Sequence, residues 1–322
     1  MRAAYITEVG PAEAIRYGEL PVPATGPTDV LVNVEAVAVN PVDTFIRSGA
    51  WPTPTPFPFV LGRDLVGRVA ALGSGAVGFA VGDRVWCNSL GHAGRQGSFA
   101  ECAVAPVERL YHLPDRADAL TAVAVAHPAA TAYLALFRHG GLRPGETLCV
   151  QGGAGNVGTA AIQLAAAAEA RVIATANAAD ASWCRAAGAA EVLDYRDPAL
   201  AERLRAVAPD GIEVYVDTSG RLDLDLAVDV LAFRGRIVCL AGLGQRPALP
   251  LGPLYTRDGH ILGFVISRAT ADELADAART INRLLAAGGL TTRISEVLPL
   301  ERAAEAHRMV EDGVRGRVVL RI

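Results

Sequence analysis

The second half of the chain alternates short apolar segments with helical ones. The strand-like segments are Thr147–Gln151, Arg171–Ala176, Glu191–Asp194, Ile212–Asp217, Arg236–Leu240 and His260–Ile266. The helix-like segments between them are Val157–Ala168, Ala181–Ala187, Pro198–Val207 and Leu222–Leu231. Short, fully apolar strands that alternate with helices are typical of a parallel sheet covered on both faces. The pattern predicts an α/β domain with a doubly wound parallel sheet.

The residues before Leu120 follow a different pattern. They are rich in Gly, Pro and Val, and helical periodicity is sparse. Val30–Val39 and Gly82–Cys87 have the composition of strands bounded by turn residues. This part of the chain is therefore predicted to be a mostly β domain. The segment that follows, Thr121–Arg138, is predicted to be a helix interrupted at Pro128.

The C-terminal tail departs from the regular alternation. It has an amphipathic helix over Ala271–Ala287, a strand over Arg293–Leu298, a helix over Glu301–Glu311 and a strand over Arg317–Ile322. We predict that this tail returns to the first domain. The predicted domains are then residues 1–124 with 268–322, and residues 125–267.

Composition and charge exclude several classes of protein. Hydrophobic residues make up 51% and charged residues 20% of the 322 residues, which is typical of a globular chain and not of a disordered or collagen-like one. The net charge of −4 offers no basic excess, so nucleic acid is not an expected partner. The chain contains no lysine, which excludes a Schiff-base lysine and a P-loop lysine.

The cysteine content indicates a reducing compartment. The five cysteines are odd in number and show no C-x-x-C spacing, so a disulfide framework is not expected. The N-terminus has no apolar region typical of a secretory signal. The Ala-rich stretch Thr159–Ala168 is too short to span a membrane. We predict a cytoplasmic protein with no membrane partner.

A glycine-rich motif lies between an apolar strand and a helix. Its pattern is G-x-G-x-x-G, in which glycines let the backbone approach a pyrophosphate and the helix N-terminus supplies N–H donors. The alternative is a structural turn, which the strand and helix on either side make less fitting. The predicted cofactor-binding residues here are Gly153, Ala154, Gly155, Asn156, Val157 and Gly158.

The end of the second strand bears on which dinucleotide binds. An NAD site expects an acid there for the ribose 2′-OH, but the strand ends Thr175-Ala176-Asn177. This favours a 2′-phosphate and hence NADPH, although Asp180 would repel a phosphate if it pointed inward. The candidate phosphate partners are Tyr195, Arg185 and Arg196, and each could instead be a solvated surface residue. Asn177 is also a predicted cofactor-binding residue.

Several longer motifs together resemble a known family. They are Asn40–Gly49, Gly62–Val69, Val81–Val85, Gly97–Glu101 and Thr131–Tyr133. Together with the glycine-rich turn they resemble the quinone oxidoreductases (zeta-crystallin-like) of the medium-chain dehydrogenase/reductase superfamily, over essentially the whole chain. The resemblance implies a GroES-like catalytic domain, a Rossmann domain, NADPH, and reduction of quinones or α,β-unsaturated carbonyls. It also implies a dimer or a tetramer, of which we predict the homodimer, and further cofactor contacts from Gly242, Phe264, Val265, Ile266 and Arg315.

The zinc ligands of the alcohol dehydrogenases in this superfamily are missing. Their G-H-E motif is Gly62-Arg63-Asp64 here, and the position of an earlier Cys ligand falls within Asn40–Asp43. An arginine stays protonated and cannot coordinate a metal. His127 and Cys102 do not complete a three-ligand site. We therefore expect no metal.

Without a Lewis acid, an activated acceptor is the easier substrate, because its developing charge is delocalised. Asn40 is the candidate donor to the acceptor carbonyl; the alternative is a turn-stabilising Asn. Thr131 resembles the threonine that the family has near the nicotinamide, or it bonds its own helix backbone. Asp43 and Arg47, four residues apart, are expected to form an ion pair. Phe45, Trp51 and Arg63 are the candidate pocket residues. The alternatives are that the two aromatic residues belong to the core and that Arg63 pairs with Asp64 or Asp43.

Three functions are compatible with these residues. The first is an NADPH-dependent, zinc-free reductase of quinones or enones. The second is an enoyl or alkenal double-bond reductase of a specialised pathway, because the family often has tyrosines where this chain has Phe45 and Trp51. The third is an NADPH-binding protein with little turnover.

Overall fold

Sixteen strands and nine α-helices follow one another along the chain, and a computed structural model describes all 322 residues. The strands are β1 (Arg2–Ile6), β2 (Arg16–Glu19), β3 (Asp29–Ala38), β4 (Phe59–Val60), β5 (Leu65–Leu72), β6 (Arg84–Cys87), β7 (Cys102–Pro106), β8 (Tyr111–His112), β9 (Thr147–Gln151), β10 (Arg171–Ala176), β11 (Glu191–Asp194), β12 (Ile212–Asp217), β13 (Leu231–Cys239), β14 (His260–Gly263), β15 (Ile294–Pro299) and β16 (Arg317–Arg321). The helices are α1 (Pro41–Ser48), α2 (Ala119–Tyr133), α3 (Asn156–Ala167), α4 (Ala181–Ala186), α5 (Leu200–Val207), α6 (Leu224–Asp229), α7 (Leu251–Tyr255), α8 (Ala271–Ala286) and α9 (Ala303–Glu311).

The elements divide into two units. Unit 1 contains Met1–His127 and Thr270–Ile322, and unit 2 contains Pro128–Ala269. The predicted boundaries after residues 124 and 267 lie up to three residues from these division points.

Unit 1 is built on two antiparallel-rich sheets. A seven-stranded sheet has the order β15-β16-β3-β5-β6-β8, with β7 also paired to β3, and a three-stranded sheet has the order β2-β1-β4. Along β3, Val30, Val32 and Val34 are buried and alternate with more exposed residues, as expected of a strand with one face on the core. The last strand, β16, pairs with β3, with Leu320 opposite Val37. The tail therefore returns to the first unit.

Unit 2 is a doubly wound α/β unit. Its six strands are all parallel, in the order β11-β10-β9-β12-β13-β14. The strand order reverses between β9 and β12, and in such sheets ligands bind at the carboxyl ends of the strands beside this reversal. The GroES-like and Rossmann-type architecture predicted from the resemblance is confirmed.

Pro128 does not interrupt its helix, contrary to the prediction. It lies inside α2, and a π-helical turn continues the helix over Leu134–His139. Ala126 and Ala129 on either side are fully buried, so packing offsets the hydrogen bond that proline removes.

The segment Ala119–His139 has a mean hydropathy of 1.5 and is long enough to cross a membrane, but 78% of its apolar window is buried inside the protein.

Other element ends differ by a few residues from the predictions. The helix expected from Pro198 begins at Leu200, and α6 covers only the middle of the segment expected to be helical. That helix begins later than predicted because Asp223 is its N-cap: the Asp223 carboxylate accepts a hydrogen bond from the Leu226 N–H at 3.0 Å. Strand β14 ends at Gly263, before the expected Ile266.

His307 of α9 lies in the core of unit 1. Its ring meets Phe99 edge-on, with 5.9 Å between the ring centroids, and neither ring nitrogen has a hydrogen-bond partner. Burial, together with the positive charge of Arg47, lowers the pKa of His307 to about 3. The imidazole is therefore neutral in the folded protein near neutral pH.

We predict that His307→Leu makes the protein less sensitive to acid. The unfolded chain binds a proton at this residue below about pH 6.5, whereas the folded protein does not until about pH 3. Stability is therefore lost as the pH falls, by about 2 kcal/mol between pH 8 and pH 5 from this one residue. Urea unfolding at both pH values measures the loss. An equal loss in the wild type and in the His307→Leu variant would contradict the prediction.

Candidate active site

A tight turn at the end of β9 leads into α3 in unit 2. Gly155 stands at the N-cap of α3, and the first helical hydrogen bond runs from the Thr159 N–H to the Gly155 carbonyl at 2.8 Å. A side chain at Gly158 would collide with the carbonyl oxygen of Gly152, whereas one at Gly155 would meet only that oxygen, at 3.3 Å, and otherwise open space. The turn is therefore closed on its packed side and open beside Gly155.

The open side of this turn fits an anion. The first-turn N–H groups of α3 have no carbonyl of their own helix to pair with, and the first turn contains no acidic residue. The helix dipole adds partial positive charge there. Of the predicted residues, Gly155, Asn156, Val157 and Gly158 form the cap and first turn of α3, and Gly153 and Ala154 precede it. These residues could hold a pyrophosphate group.

A cavity of about 1000 Å³ opens at the carboxyl ends of β9 to β12. Gln151 and Tyr215 form part of its polar wall, since the Tyr215 hydroxyl donates to Gln151 Oε1 at 2.8 Å. Ser219 and Arg221 follow β12 and also line it, and Tyr195 lines it after β11. The sequence motifs did not include Gln151, Ser219 and Arg221. The signal that could have found them is their position at the end of a predicted strand, for Gln151, or in the loop that follows one, for Ser219 and Arg221.

The end of β10 has a carboxylate in place. Asn177 donates from Nδ2 to Asp180 Oδ2 at 2.8 Å, and its Oδ1 accepts from the Asp180 N–H at 3.1 Å. The side chain of Asp180 is buried. Asn177 therefore holds Asp180, and its own carboxamide is already engaged.

Two other predicted cofactor residues stand next to β11. Tyr195 is 47% exposed, and the Arg196 guanidinium lies over its ring at 5.1 Å from the centroid. The Arg196 N–H donates to Asp194 Oδ1 at 2.9 Å. Both side chains are therefore at the rim of the carboxyl edge.

The remaining predicted cofactor residues of unit 2 follow β13 and β14. Gly242 adopts a left-handed conformation with φ of 85°, which a side chain would strain. Phe264 stacks on His139 with 4.6 Å between ring centroids. Val265 and Ile266 come next, and Ile266 is buried. All four lie at the same edge of the sheet as the glycine-rich turn, because the strands are parallel.

Thr131 is buried on α2 in unit 2, and Arg315 is exposed just before β16 in unit 1. Neither position tests the predicted contacts with the nicotinamide, which stay predictions.

Unit 1 contains a buried group of charged and amide side chains. Asn40, at the N-terminus of α1, donates from Nδ2 to Asp64 Oδ2 at 2.9 Å. Its Oδ1 accepts from Arg317 Nη2 at 2.9 Å, and Arg317 Nη2 lies 3.5 Å from Asp64 Oδ2. His127 Nδ1 lies 3.7 Å from Asp64 Oδ1 and 3.4 Å from the Asn88 carbonyl oxygen. We call Asn40, Asp43, Arg63, Asp64 and Arg317 the charge cluster.

Burial sets the pKa values in the charge cluster. Burial raises the pKa of Asp64 well above its ordinary value, although the positive charge of Arg317 opposes the rise. It raises the pKa of Asp43 to about 6, against the opposing effects of the Asn40 backbone N–H and of Arg63. Burial lowers the pKa of Arg317, which Asp64 and Asp43 partly offset. Burial, with both arginines, also lowers the pKa of His127 to about 3. The histidine is therefore neutral beside two aspartates and two arginines.

The expected ion pair between Asp43 and Arg47 does not form. Asp43 Oδ2 accepts from the Asn40 backbone N–H at 2.8 Å and so closes the first turn of α1. Arg47 points to another element: its Nη1 donates to Glu311 Oε2 at 3.2 Å, and its Nε donates to the Gly10 carbonyl at 3.1 Å. Both side chains are buried. Asp43 bonds the N-terminal turn of its own helix, whereas Arg47 bonds residues that are distant in sequence.

Asn40 is 1% exposed, and both ends of its carboxamide already have partners. Its predicted role as donor to an acceptor stays a prediction. Of the predicted pocket residues, Phe45 is 40% exposed and Arg63 is buried. The Trp51 indole N–H is buried without a hydrogen-bond partner. An unpartnered buried donor of this kind is available to a ligand.

No three His, Cys, Asp or Glu side chains come together as a metal-binding group anywhere in the structure. At the position of the G-H-E histidine the chain places Arg63, which carries no lone pair for a metal.

Two protein families match parts of this chain. Residues 26–115 match the alcohol dehydrogenase GroES-like domain, and residues 156–283 match the zinc-binding dehydrogenase family. The quinone oxidoreductase of Homo sapiens is 30% identical over 327 residues, which is 99% of this chain and 97% of that protein.

Solved structures agree over the full length. A structure described as an NAD-dependent alcohol dehydrogenase is 33% identical, with a TM-score of 0.90 and complete coverage of both chains. A mycobacterial quinone oxidoreductase is 30% identical, with a TM-score of 0.87 and complete coverage of both chains. A complex of a mycobacterial protein with NADPH is 29% identical, with a TM-score of 0.85 and the same coverage.

We predict that Gly158→Ala weakens dinucleotide binding by about tenfold or more, a change of about 1.4 kcal/mol. The new methyl group would collide with the Gly152 carbonyl and displace the turn. Quenching of tryptophan fluorescence during titration with the dinucleotide gives the affinity. Gly252→Ala is the matched control, because nothing lies within 4 Å of its added methyl group. Equal affinities in both variants would contradict this account of the turn.

Proposed function

The chain belongs to the quinone oxidoreductase family of the medium-chain dehydrogenase/reductase superfamily, and we propose that it is an NADPH-dependent oxidoreductase that transfers hydride to a quinone or an α,β-unsaturated carbonyl without a metal. The observation that carries the proposal is the open side of the glycine-rich turn at the carboxyl edge of the parallel sheet, next to a cavity of about 1000 Å³. The mycobacterial relative in complex with NADPH supports the choice of cofactor.

The residues of unit 2 fit a dinucleotide. Bound NADPH would supply a hydride from C4 of its nicotinamide ring. The glycine-rich turn and the N-terminus of α3 would hold the pyrophosphate, and the cavity beside Gln151 and Tyr195 would hold the adenosine half. Gly242 and the Phe264–Ile266 segment would flank the nicotinamide end, as would Thr131 and Arg315.

The residues of unit 1 fit an activated, planar acceptor. Phe45 and Trp51 would offer aromatic surface, and the unpartnered Trp51 indole N–H would offer a donor. Asn40 would direct an amide N–H at the acceptor oxygen, where negative charge develops as hydride arrives. Phe45 carries no acidic proton and the Trp51 indole N–H is only a weak donor, while His127 is neutral. We therefore assign the final proton to water or to a hydroxyl group of the cofactor.

The metal-free part of the proposal rests on residue chemistry. Arg63 and Asp64 stand where the zinc enzymes have G-H-E, and the arginine is buried against Asp43 and Asp64. A substrate without a Lewis acid must delocalise its own developing charge. Quinones and enones do so, whereas simple ketones and alcohols do not.

We also propose a cytoplasmic homodimer. All five cysteines are free, which suits a reducing compartment. Strand β14 is the edge of the parallel sheet, and Ile261 on it is exposed, as are Leu251 and Tyr255 of α7. An exposed apolar sheet edge suits pairing with a second copy. A mass of 33.5 kDa by light scattering at micromolar concentration would contradict the dimer.

The activity test follows NADPH oxidation at 340 nm with a planar ortho-quinone and, separately, with a cyclic enone. We expect turnover of at least one acceptor by protein that has been dialysed against a chelator. Turnover of the enone alone would assign double-bond reduction. Tight NADPH binding without turnover of either acceptor would contradict the proposed function and leave a binding protein.

We predict that Asp180→Lys raises the preference for NADPH over NADH by about tenfold or more, a difference of about 1.4 kcal/mol. Asp180 is held by Asn177 at the end of β10, where its negative charge opposes a 2′-phosphate and a lysine would favour one. The ratio of kcat/KM for the two cofactors is the readout. Asp210→Lys, with the same charge change at an exposed position, is the control. An unchanged ratio in the Asp180→Lys variant would place the 2′-phosphate elsewhere.

A further inference from the structure

The Asn40 carboxamide is held from both ends inside the charge cluster. Its oxygen accepts from Arg317 Nη2 at 2.9 Å, and its nitrogen donates to Asp64 Oδ2 at 2.9 Å. The second amide hydrogen has only a long contact, from Nδ2 to the Ala38 carbonyl at 3.4 Å. One N–H of the amide is therefore firmly bonded, and the other is the group most easily turned to a ligand.

Arg317 decides which way the amide faces. The oxygen and nitrogen ends of a carboxamide have nearly the same shape, so packing alone does not distinguish them. A guanidinium only donates hydrogen bonds. If the Asn40 amide were reversed, its N–H groups would face the donors of Arg317, and its oxygen would face Asp64.

The three groups come from separate parts of unit 1. Asn40 caps α1, Asp64 precedes β5, and Arg317 begins β16. Arg315, two residues before Arg317, is one of the proposed cofactor contacts. Helix α1 contains Phe45 of the proposed acceptor pocket. The contact between Arg317 and Asn40 therefore joins the start of β16 to the start of α1.

Stability alone is a poor reason to bury these charges. Ionised side chains lose their hydration on burial, and apolar residues of similar size are often as stabilising or more so. Arg317 and Asp64 are both within 2% of full burial. A role in orienting another side chain accounts for a costly arrangement that packing does not require.

We propose that Arg317, supported by Asp64, is a positioning residue that orients the Asn40 carboxamide so that an N–H, and not the oxygen, faces the acceptor. The inference rests on the proposed function, in which Asn40 donates to the acceptor oxygen. Arg317 itself does not touch the acceptor.

A double-mutant cycle tests whether Arg317 acts through Asn40. We expect Arg317→Met to lower kcat by about 10- to 100-fold, the range seen when a partner of a functional side chain is removed. Asn40→Ala should lower kcat by at least as much. In the Asn40→Ala background, Arg317→Met should change kcat by no more than about twofold, since the group it orients is already gone. Arg317→Lys keeps one donor and should restore part of kcat.

A charge-neutral pair separates orientation from folding. Arg317→Met leaves Asp64 without its cation and is expected to lower Tm, whereas Asp64→Asn with Arg317→Met removes both charges and should restore most of it. We expect kcat of this double variant to stay low, because the amide is no longer oriented. The matched control is Arg47→Met with Glu311→Gln, which removes an arginine–glutamate pair at the other end of α1 whose arginine is equally buried, and which should leave kcat unchanged.

Three results would overturn the proposal. The first is that Arg317→Met and Asn40→Ala lower kcat independently, so that their losses multiply in the double variant. The second is that kcat recovers together with Tm in the Asp64→Asn, Arg317→Met protein. The third is full activity of the Asn40→Ala variant. If the wild type turns over no acceptor, the proposed function fails. The cycle is then read from binding of the oxidised ortho-quinone by tryptophan quenching, where unchanged affinity in Arg317→Met overturns the orientation role separately.

Discussion

Two carboxylates and two guanidinium groups share one buried volume in unit 1, and charges removed from water must be paired to be tolerated there. Asp43, Asp64, Arg63 and Arg317 come from the start of α1, from the link before β5 and from the last strand. Arg317 enters this group from the last strand, which pairs with β3. The charge cluster therefore joins the tail to the first unit, although the tail follows the second unit in sequence.

The two units contribute different chemistry to the proposed reaction. Unit 2 offers backbone N–H groups and an open cavity at the carboxyl edge of a parallel sheet, which suits a dinucleotide. These features do not decide which substrate the protein reduces. In the proposed function, Phe45 and Trp51 of unit 1 offer aromatic surface, and Asn40 offers an amide donor. In the proposed mechanism an activated acceptor carries its own charge delocalisation, and the protein provides alignment and one or two donors.

Local patterns in the sequence predicted the parallel sheet well. The bounds of β10 and β11 were predicted to the residue, because each is a short apolar run between turn residues and its pairing leaves the pattern intact. The glycine-rich turn was predicted for the same reason, since strand, turn and helix are contiguous. Pro128 was predicted wrongly, because the packing that keeps α2 continuous comes from residues distant in sequence.

The charge cluster lay beyond local patterns for the same reason. Asn40 and Arg63 were singled out from motifs, but the partner that orients Asn40 is Arg317, 277 residues away. Asp43 and Arg47 were expected to pair because of their spacing, yet Asp43 bonds the Asn40 N–H at the start of its own helix and Arg47 bonds Gly10 and Glu311. A spacing of four residues predicts a pair only on an exposed helix face, and this face is buried.

The proposed function depends on direct hydride transfer to an activated acceptor at a site without a metal. Turnover with NADPH deuterated at the 4R position can be compared with turnover with NADPH deuterated at the 4S position, in protein whose metal content has been determined in the same preparation. We predict slower turnover with one deuterated epimer only, in protein that contains far less than one metal ion per chain. Equal rates with both epimers, or activity that rises in proportion to bound zinc, would contradict it.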